Sequence, residues 1–186
     1  AIGSSTGGPQ ALFEVIKNLK GLSQPILVTQ HMPPTFTRIL ASNIERQTGV
    51  PTAEAEEGMA LQPGKVLVAP GDYHMTVERG GNGGVVKLSQ TPPENFCRPA
   101  VDPMFRSIAA MFGSATLGVI LTGMGHDGRE GARSITDAGG MIVAQDEKSS
   151  VVWGMPGAVA MAGLASKILP IGEIGAYLRR RAGGRP

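Results

Sequence analysis

Three loops in this chain carry side chains suited to covalent chemistry. Ser5 lies in Gly3-Ser4-Ser5-Thr6-Gly7-Gly8, His31 in Gln30-His31-Met32-Pro33-Pro34, and Asp127 in Thr122-Gly123-Met124-Gly125-His126-Asp127-Gly128. A serine hydroxyl is a weak nucleophile until a neighbouring base takes its proton, and an imidazole does this best when a third group orients it. A serine on a Gly-flanked strand-to-helix turn is exposed, and the N–H after it points to where an acyl oxyanion would form. For Ser5 that donor is Thr6 N–H, and Met124 N–H in the third loop is the expected second donor. The three loops together point to acyl transfer through a serine.

Elements distant in the chain must bring these loops together. Ile26–Thr29, Val66–Ala69, Leu117–Leu121 and Met141–Ala144 are near-continuous apolar runs of strand length, the pattern of strands covered on both faces. Helical spacing lies between them. Leu12, Val15, Ile16 and Leu19 mark one helix, and Phe36, Ile39, Leu40 and the polar Asn43, with Ile44 close behind, a second. Met104, Ile108, Met111 and Phe112 mark a third, with Asp102 as its expected N-cap and Pro103 as its first residue. Residues 128–138 and 173–181 supply two more. This alternation predicts a three-layer, doubly wound α/β domain with a mainly parallel sheet, in which ligands sit at the carboxyl ends of the strands. Residues 74–79 and 85–89 flank Gly80-Gly81-Asn82-Gly83-Gly84, predicting an antiparallel hairpin near that edge.

Length and composition agree. A chain of 186 residues fits one domain, with 41% apolar and 17% charged residues. The net charge of +2 is set by Arg179, Arg180, Arg181 and Arg185 at the end, so no nucleic-acid partner is expected. One cysteine, Cys97, rules out an intramolecular disulfide or a Cys-based zinc cluster and suits a reducing cytoplasm. The uncharged stretches at 107–125 and 149–166 are broken by Gly and Ser, so no membrane insertion is expected. The start at Ala1-Ile2-Gly3 reads as a domain excised inside or just after a strand.

Competing readings follow from the same residues. Ser5 and Asp127 could each cap a helix, and His31 could be a buried structural histidine. His126 competes as the base, and Cys97 beside Arg98 is the other conceivable nucleophile, read here as an inert thiol. His74 reads as structural or as a rim contact. Gly123-x-Gly125-x-x-Gly128 follows a strand and opens a helix, with Asp146 at the end of the next strand. That satisfies a dinucleotide-binding fingerprint and makes a nicotinamide-dependent oxidoreductase the alternative function. A catalytically silent scaffold is a third reading.

The chain resembles the catalytic domain of the CheB-type chemotaxis-receptor protein-glutamate methylesterases. The family's Gly-x-Ser-Thr-Gly-Gly, Gln-His-Met-Pro-Pro and Gly-Met-Gly-x-Asp-Gly motifs match residues 3–8, 30–34 and 123–128. Further matches are Ala69-Pro70-Gly71-Asp72 with His74-Met75, Arg98-Pro99 with Val101-Asp102, and Gly154-Met155-Pro156. The resemblance implies Ser5 as nucleophile, His31 as base and Asp127 as orienting carboxylate, with no metal or cofactor. It implies hydrolysis of glutamate γ-methyl esters on the cytoplasmic helices of chemoreceptors, and deamidation of receptor glutamines. Arg98, Trp153 and Met155 are the candidate substrate contacts. One catalytic domain over residues 1–186 is expected in the cytoplasm, preceded in the family by a receiver domain.

Overall fold

A computed structural model describes residues 1–81 and 83–183; Asn82 at the hairpin tip and Arg185 in the basic tail lie outside the described residues. Nine strands and six α-helices are described. The strands are β1 (Ile2–Ser4), β2 (Ile26–Gln30), β3 (Thr52–Glu54), β4 (Val66–Val68), β5 (His74–Gly80), β6 (Gly83–Ser89), β7 (Leu117–Ile120), β8 (Met141–Gln145) and β9 (Lys167–Leu169). The helices are α1 (Gly8–Ile16), α2 (Phe36–Thr48), α3 (Val101–Phe112), α4 (Arg129–Asp137), α5 (Met155–Met161) and α6 (Ile171–Arg181). Seven strands form one sheet in the order β3-β4-β2-β1-β7-β8-β9, and every pairing in it is parallel. β5 and β6 pair with each other as a separate antiparallel sheet.

The alternation of side chains along each strand divides the interior into two cores. Ile26, Val28, Val66, Val68, Val119, Leu121 and Val143 point to the face covered by α1, α2 and α6. Leu27, Leu67, Ile120 and Ile142 point to the opposite face, under α3, α4, α5 and the β5–β6 hairpin. These strands read as continuous apolar runs because both faces are covered. The hairpin is tied to α3 by Val77 N–H donating to Ser107 Oγ at 3.0 Å, and by Met75, Val77 and Val86 in the second core.

The start of α3 differs from expectation. Ala100 is the N-cap, Val101 is the first helical residue, and Asp102 makes no capping bond to its own helix. Pro103 falls in the first turn, where its missing N–H costs nothing because those donors have no intrahelical partner. The carboxylate that binds this helix end comes from Asp127. In α2 the buried residues are Thr37, Leu40, Ala41 and Ile44, while Phe36 and Ile39 face outward.

Candidate active site

β1 is the point where the sheet grows in both directions, with β2 on one side and β7 on the other. The carboxyl ends of these three neighbours border the crevice of a doubly wound sheet. Ser5 directly follows β1, His31 directly follows β2, and the Gly123–Asp127 loop follows β7. Ser4 is in register with Gln30. His31 N–H donates to Ser4 O at 3.1 Å, and Ser5 N–H to Thr122 O at 3.0 Å.

A buried glutamine ties the first two loops together. Gln30 Oε1 accepts the Ser4 hydroxyl at 2.6 Å, while Gln30 Nε2 donates to Ser5 O at 2.9 Å and to His31 O at 3.1 Å. Both faces of its amide are thereby satisfied, as burial demands. The third loop approaches just as closely. A Cβ on Gly123 would lie 2.8 Å from Ser5 Cβ and 2.4 Å from Met155 Sδ, so only glycine permits this contact.

His31 Nε2 is 2.7 Å from Asp127 Oδ2. Burial on its own would lower the imidazole pKa. The hydrogen bond and charge of Asp127, with a smaller contribution from Cys97, overcome this and raise it to about 9. Asp127 is buried and accepts N–H bonds from Val101 at 2.6 Å, Asp102 at 3.1 Å and Gly128 at 2.9 Å, and from Asn95 Nδ2 at 2.9 Å. Its burial raises the carboxyl pKa, but His31 and these N–H donors outweigh it and leave the group below its ordinary value. The first two donors open α3, so the carboxylate also sits at the positive end of a helix.

With Nε2 committed to Asp127, Nδ1 is the ring nitrogen left free of that carboxylate. Cys97 Sγ lies 3.4 Å from it. Cys97, read from the sequence as an inert thiol with no histidine motif beside it, does touch an imidazole, that of a histidine 66 positions away in the chain. Among the described residues, Ser5 Oγ makes no hydrogen bond, and neither Thr6 N–H nor Met124 N–H has a protein acceptor. A hydroxyl and two amide donors thus stand open at one sheet edge.

The chain matches the CheB methylesterase family model over residues 1–178. It belongs to that family. It is 58% identical over 185 residues to the protein-glutamate methylesterase/protein-glutamine glutaminase of group 2 operon of Rhodospirillum centenum, covering 100% of this chain and 47% of that relative. It is likewise 58% identical to protein-glutamate methylesterase/protein-glutamine glutaminase 1 of Rhodospirillum rubrum, covering 100% and 49%. The chain thus spans about half the length of these curated relatives. The crystal structure of the Thermotoga maritima CheB methylesterase catalytic domain superposes with a TM-score of 0.94 at 40% identity, over 97% of this chain and 96% of that one.

Against this CheB fold the remaining candidates sort clearly. Arg98 spends its guanidinium on loop structure: Nε and Nη2 donate to Asp72 Oδ1, and Nη1 to Gln90 O and Thr91 O. Met155 is fully buried, and its Sδ packs against Gly123. Trp153 is half-buried, and its indole N–H donates to Gln145 O at 3.0 Å. His126 is exposed, and its ring makes no hydrogen bond to another described residue. His74 is structural: Nδ1 accepts Ala100 N–H and Nε2 donates to Pro92 O.

The dinucleotide reading fails on the residues themselves. Around the start of α4, Gly128 N–H binds Asp127 Oδ1 and Gly131 N–H binds Asp102 Oδ1, so carboxylates fill the place a pyrophosphate would take. Asp146 accepts Ser149 N–H and is held within its own loop. No helix among the described residues is long and apolar enough to cross a membrane. Among the same residues, no group of three or more His, Cys, Asp or Glu side chains could hold a metal ion.

Sequence reasoning missed Gln30 and Asn95. Gln30 carried a signal: an uncharged polar residue at the buried end of an apolar strand. Asn95 carried none, because its partners Asp102 and Asp127 are brought to it only by the fold.

Proposed function

We propose that this domain hydrolyses glutamate γ-methyl esters on chemoreceptor cytoplasmic helices, and deamidates receptor glutamines, through an acyl-Ser5 intermediate. The observation that supports this reading is the 2.7 Å His31–Asp127 pair on the sheet edge that also carries Ser5; the Ser5 hydroxyl makes no hydrogen bond to His31 here and has to turn toward Nδ1, which Cys97 touches, to be activated. Ser5 Oγ attacks the γ-carbonyl as its proton passes to His31 Nδ1. Asp127 holds the Nε2–H tautomer and stabilises the imidazolium that forms. The tetrahedral oxyanion is received by Thr6 and Met124 N–H, each worth about 2.7–4 kcal/mol of barrier if it behaves as such donors usually do. His31 then returns the proton to the leaving methoxide, giving methanol, or to the leaving amine, giving ammonia. Water activated by the same nitrogen attacks the acyl-serine and frees the carboxylate. The Cys97 thiol has to yield Nδ1 when Ser5 engages it.

Methanol release from a methylated receptor tests the reading. Ser5→Ala should remove it while leaving the fold unchanged, and undiminished turnover would take Ser5 out of the mechanism. The Cys97–His31 contact favours one second reading, with Cys97 as nucleophile. That reading predicts the opposite result, activity lost in Cys97→Ala and kept in Ser5→Ala. In the longer relatives we place a receiver domain upstream that covers this edge, so joining it to the chain should lower the basal rate. A cytoplasmic location goes with that substrate.

A further inference from the structure

Phe96 is fully exposed, more so than any other large apolar side chain among the described residues. It also sits in a backbone conformation that phenylalanine avoids. Glu94 and Cys97 exchange N–H···O bonds of 3.1 and 2.9 Å, which closes a two-residue turn whose central residues, Asn95 and Phe96, have φ of 52° and 63°. Positive φ at both positions is the signature of a type I′ turn, which suits Asn first and Gly second. A bulky side chain in the second place is strained, and such strain persists only where the surroundings impose it.

Here they do. Glu94 is clamped by Arg106 through two bonds, of 2.9 and 2.6 Å. Asn95 Nδ2 bridges Asp102 Oδ2 and Asp127 Oδ1 at 2.9 Å each, and Cys97 touches His31. The residues on either side of Phe96 therefore grip the base and its carboxylate, while Phe96 itself is thrust into solvent. Met124 is 68% exposed on the loop pressed against Ser5, and Val151 is 69% exposed beside Gly7. A helix with its side chains is about 10–12 Å across, wider than a glutamyl side chain is long. A helix that delivers its ester to Ser5 must rest its flanks on whatever stands highest around Ser5.

We propose that Phe96, together with the exposed Met124 and Val151 side chains, is the docking contact for the receptor helix that carries the scissile ester. This rests on the function proposed above. The apolar flanks of that helix meet the aromatic ring and the exposed Met124 and Val151 side chains. The strain at Phe96 is retained because the ring has to stand clear of the fold.

The test uses this chain and a methylated receptor cytoplasmic fragment. In a Ser5→Ala background, which separates binding from turnover, Phe96→Gly should weaken Kd for the fragment roughly tenfold, as loss of an aromatic anchor does. Phe96→Leu should recover much of it. With Ser5 present, Phe96→Gly should raise KM by a similar factor and move kcat little. It should also raise the melting temperature by about 2–4 °C as the left-handed strain is released. An unchanged Kd, or a loss confined to kcat, overturns the proposal. So does a parent chain that does not bind the fragment, and an occupant other than the receptor would show itself as an unchanged Kd. If the parent binds but releases no methanol, the function reading fails while Kd still reports on docking.

Discussion

Asp127 and Asp102 cap each other's helices. Asp127, just ahead of α4, accepts Val101 and Asp102 N–H at the start of α3, and Asp102, in α3, accepts Gly131 N–H in the first turn of α4 at 2.7 Å. Asn95 joins the two carboxylates. Burial pushes the Asp102 carboxyl above its ordinary range against the pull of the Gly131 bond, and the charge of Asp127 adds to the rise. The Asp127 carboxylate is therefore fixed by the packing of two helices, independently of the histidine beside it.

Asp127→Asn should leave the overall fold in place and lower kcat on the order of 10⁴-fold, because an amide lets the imidazole take the wrong tautomer. Methanol release and circular dichroism together check this.

Asp102→Ala should destabilise the domain by about 1–3 kcal/mol, since it leaves the buried Gly131 N–H without an acceptor. Asp102→Asn keeps an acceptor oxygen and should cost less. Denaturant unfolding of both variants gives the comparison.

His31 links activity and stability to pH in opposite senses. Its pKa is raised to about 9 from an unfolded value near 6.5, so the folded state favours the proton. The stability it contributes is complete below about pH 6.5 and is lost as pH rises through about 9. In the proposed mechanism the ring must be neutral to take a proton, so kcat/KM should climb across the same window. The pH dependence of melting in wild type minus that in His31→Gln isolates the first effect, and a pH–rate profile measures the second.

Gln30→Leu should lower both kcat and stability, the latter by about 1–3 kcal/mol, because Ser4 Oγ is left buried and unpaired. Adding Ser4→Ala removes that orphan and should restore part of the stability without restoring kcat, since the links to Ser5 O and His31 O stay broken. Thermal unfolding and steady-state kinetics of the single and double variants separate the two effects.

Gly123→Ala should damage the reaction more than the fold. Its Cβ would push on Ser5 Cβ and on Met155 Sδ, whose chain can shift, whereas the Ser5 turn cannot shift without misaligning the hydroxyl. A displacement of about 1 Å at a reacting group costs on the order of 10²-fold in rate.

Much of this architecture was legible because β2, β7 and β8 are apolar runs long enough to stand out between periodic helices. β3 and β9 were not, since three residues such as Thr52–Glu54 show no period. Asp102 looked like the cap of its own helix because a local rule cannot see α4 across the interface. The Ser5, His31 and Asp127 loops were legible from their glycines and prolines. The Cys97 contact with His31 was not, because nothing in the spacing of those two residues implies that the turn at 94–97 reaches the imidazole.

Because β1 is bonded on one side to β2 and on the other to β7, and its three residues are wholly buried, the serine hangs from the last segment expected to loosen on heating. Inactivation should then coincide with cooperative melting of the entire domain, with no dead but still native species at intermediate temperatures.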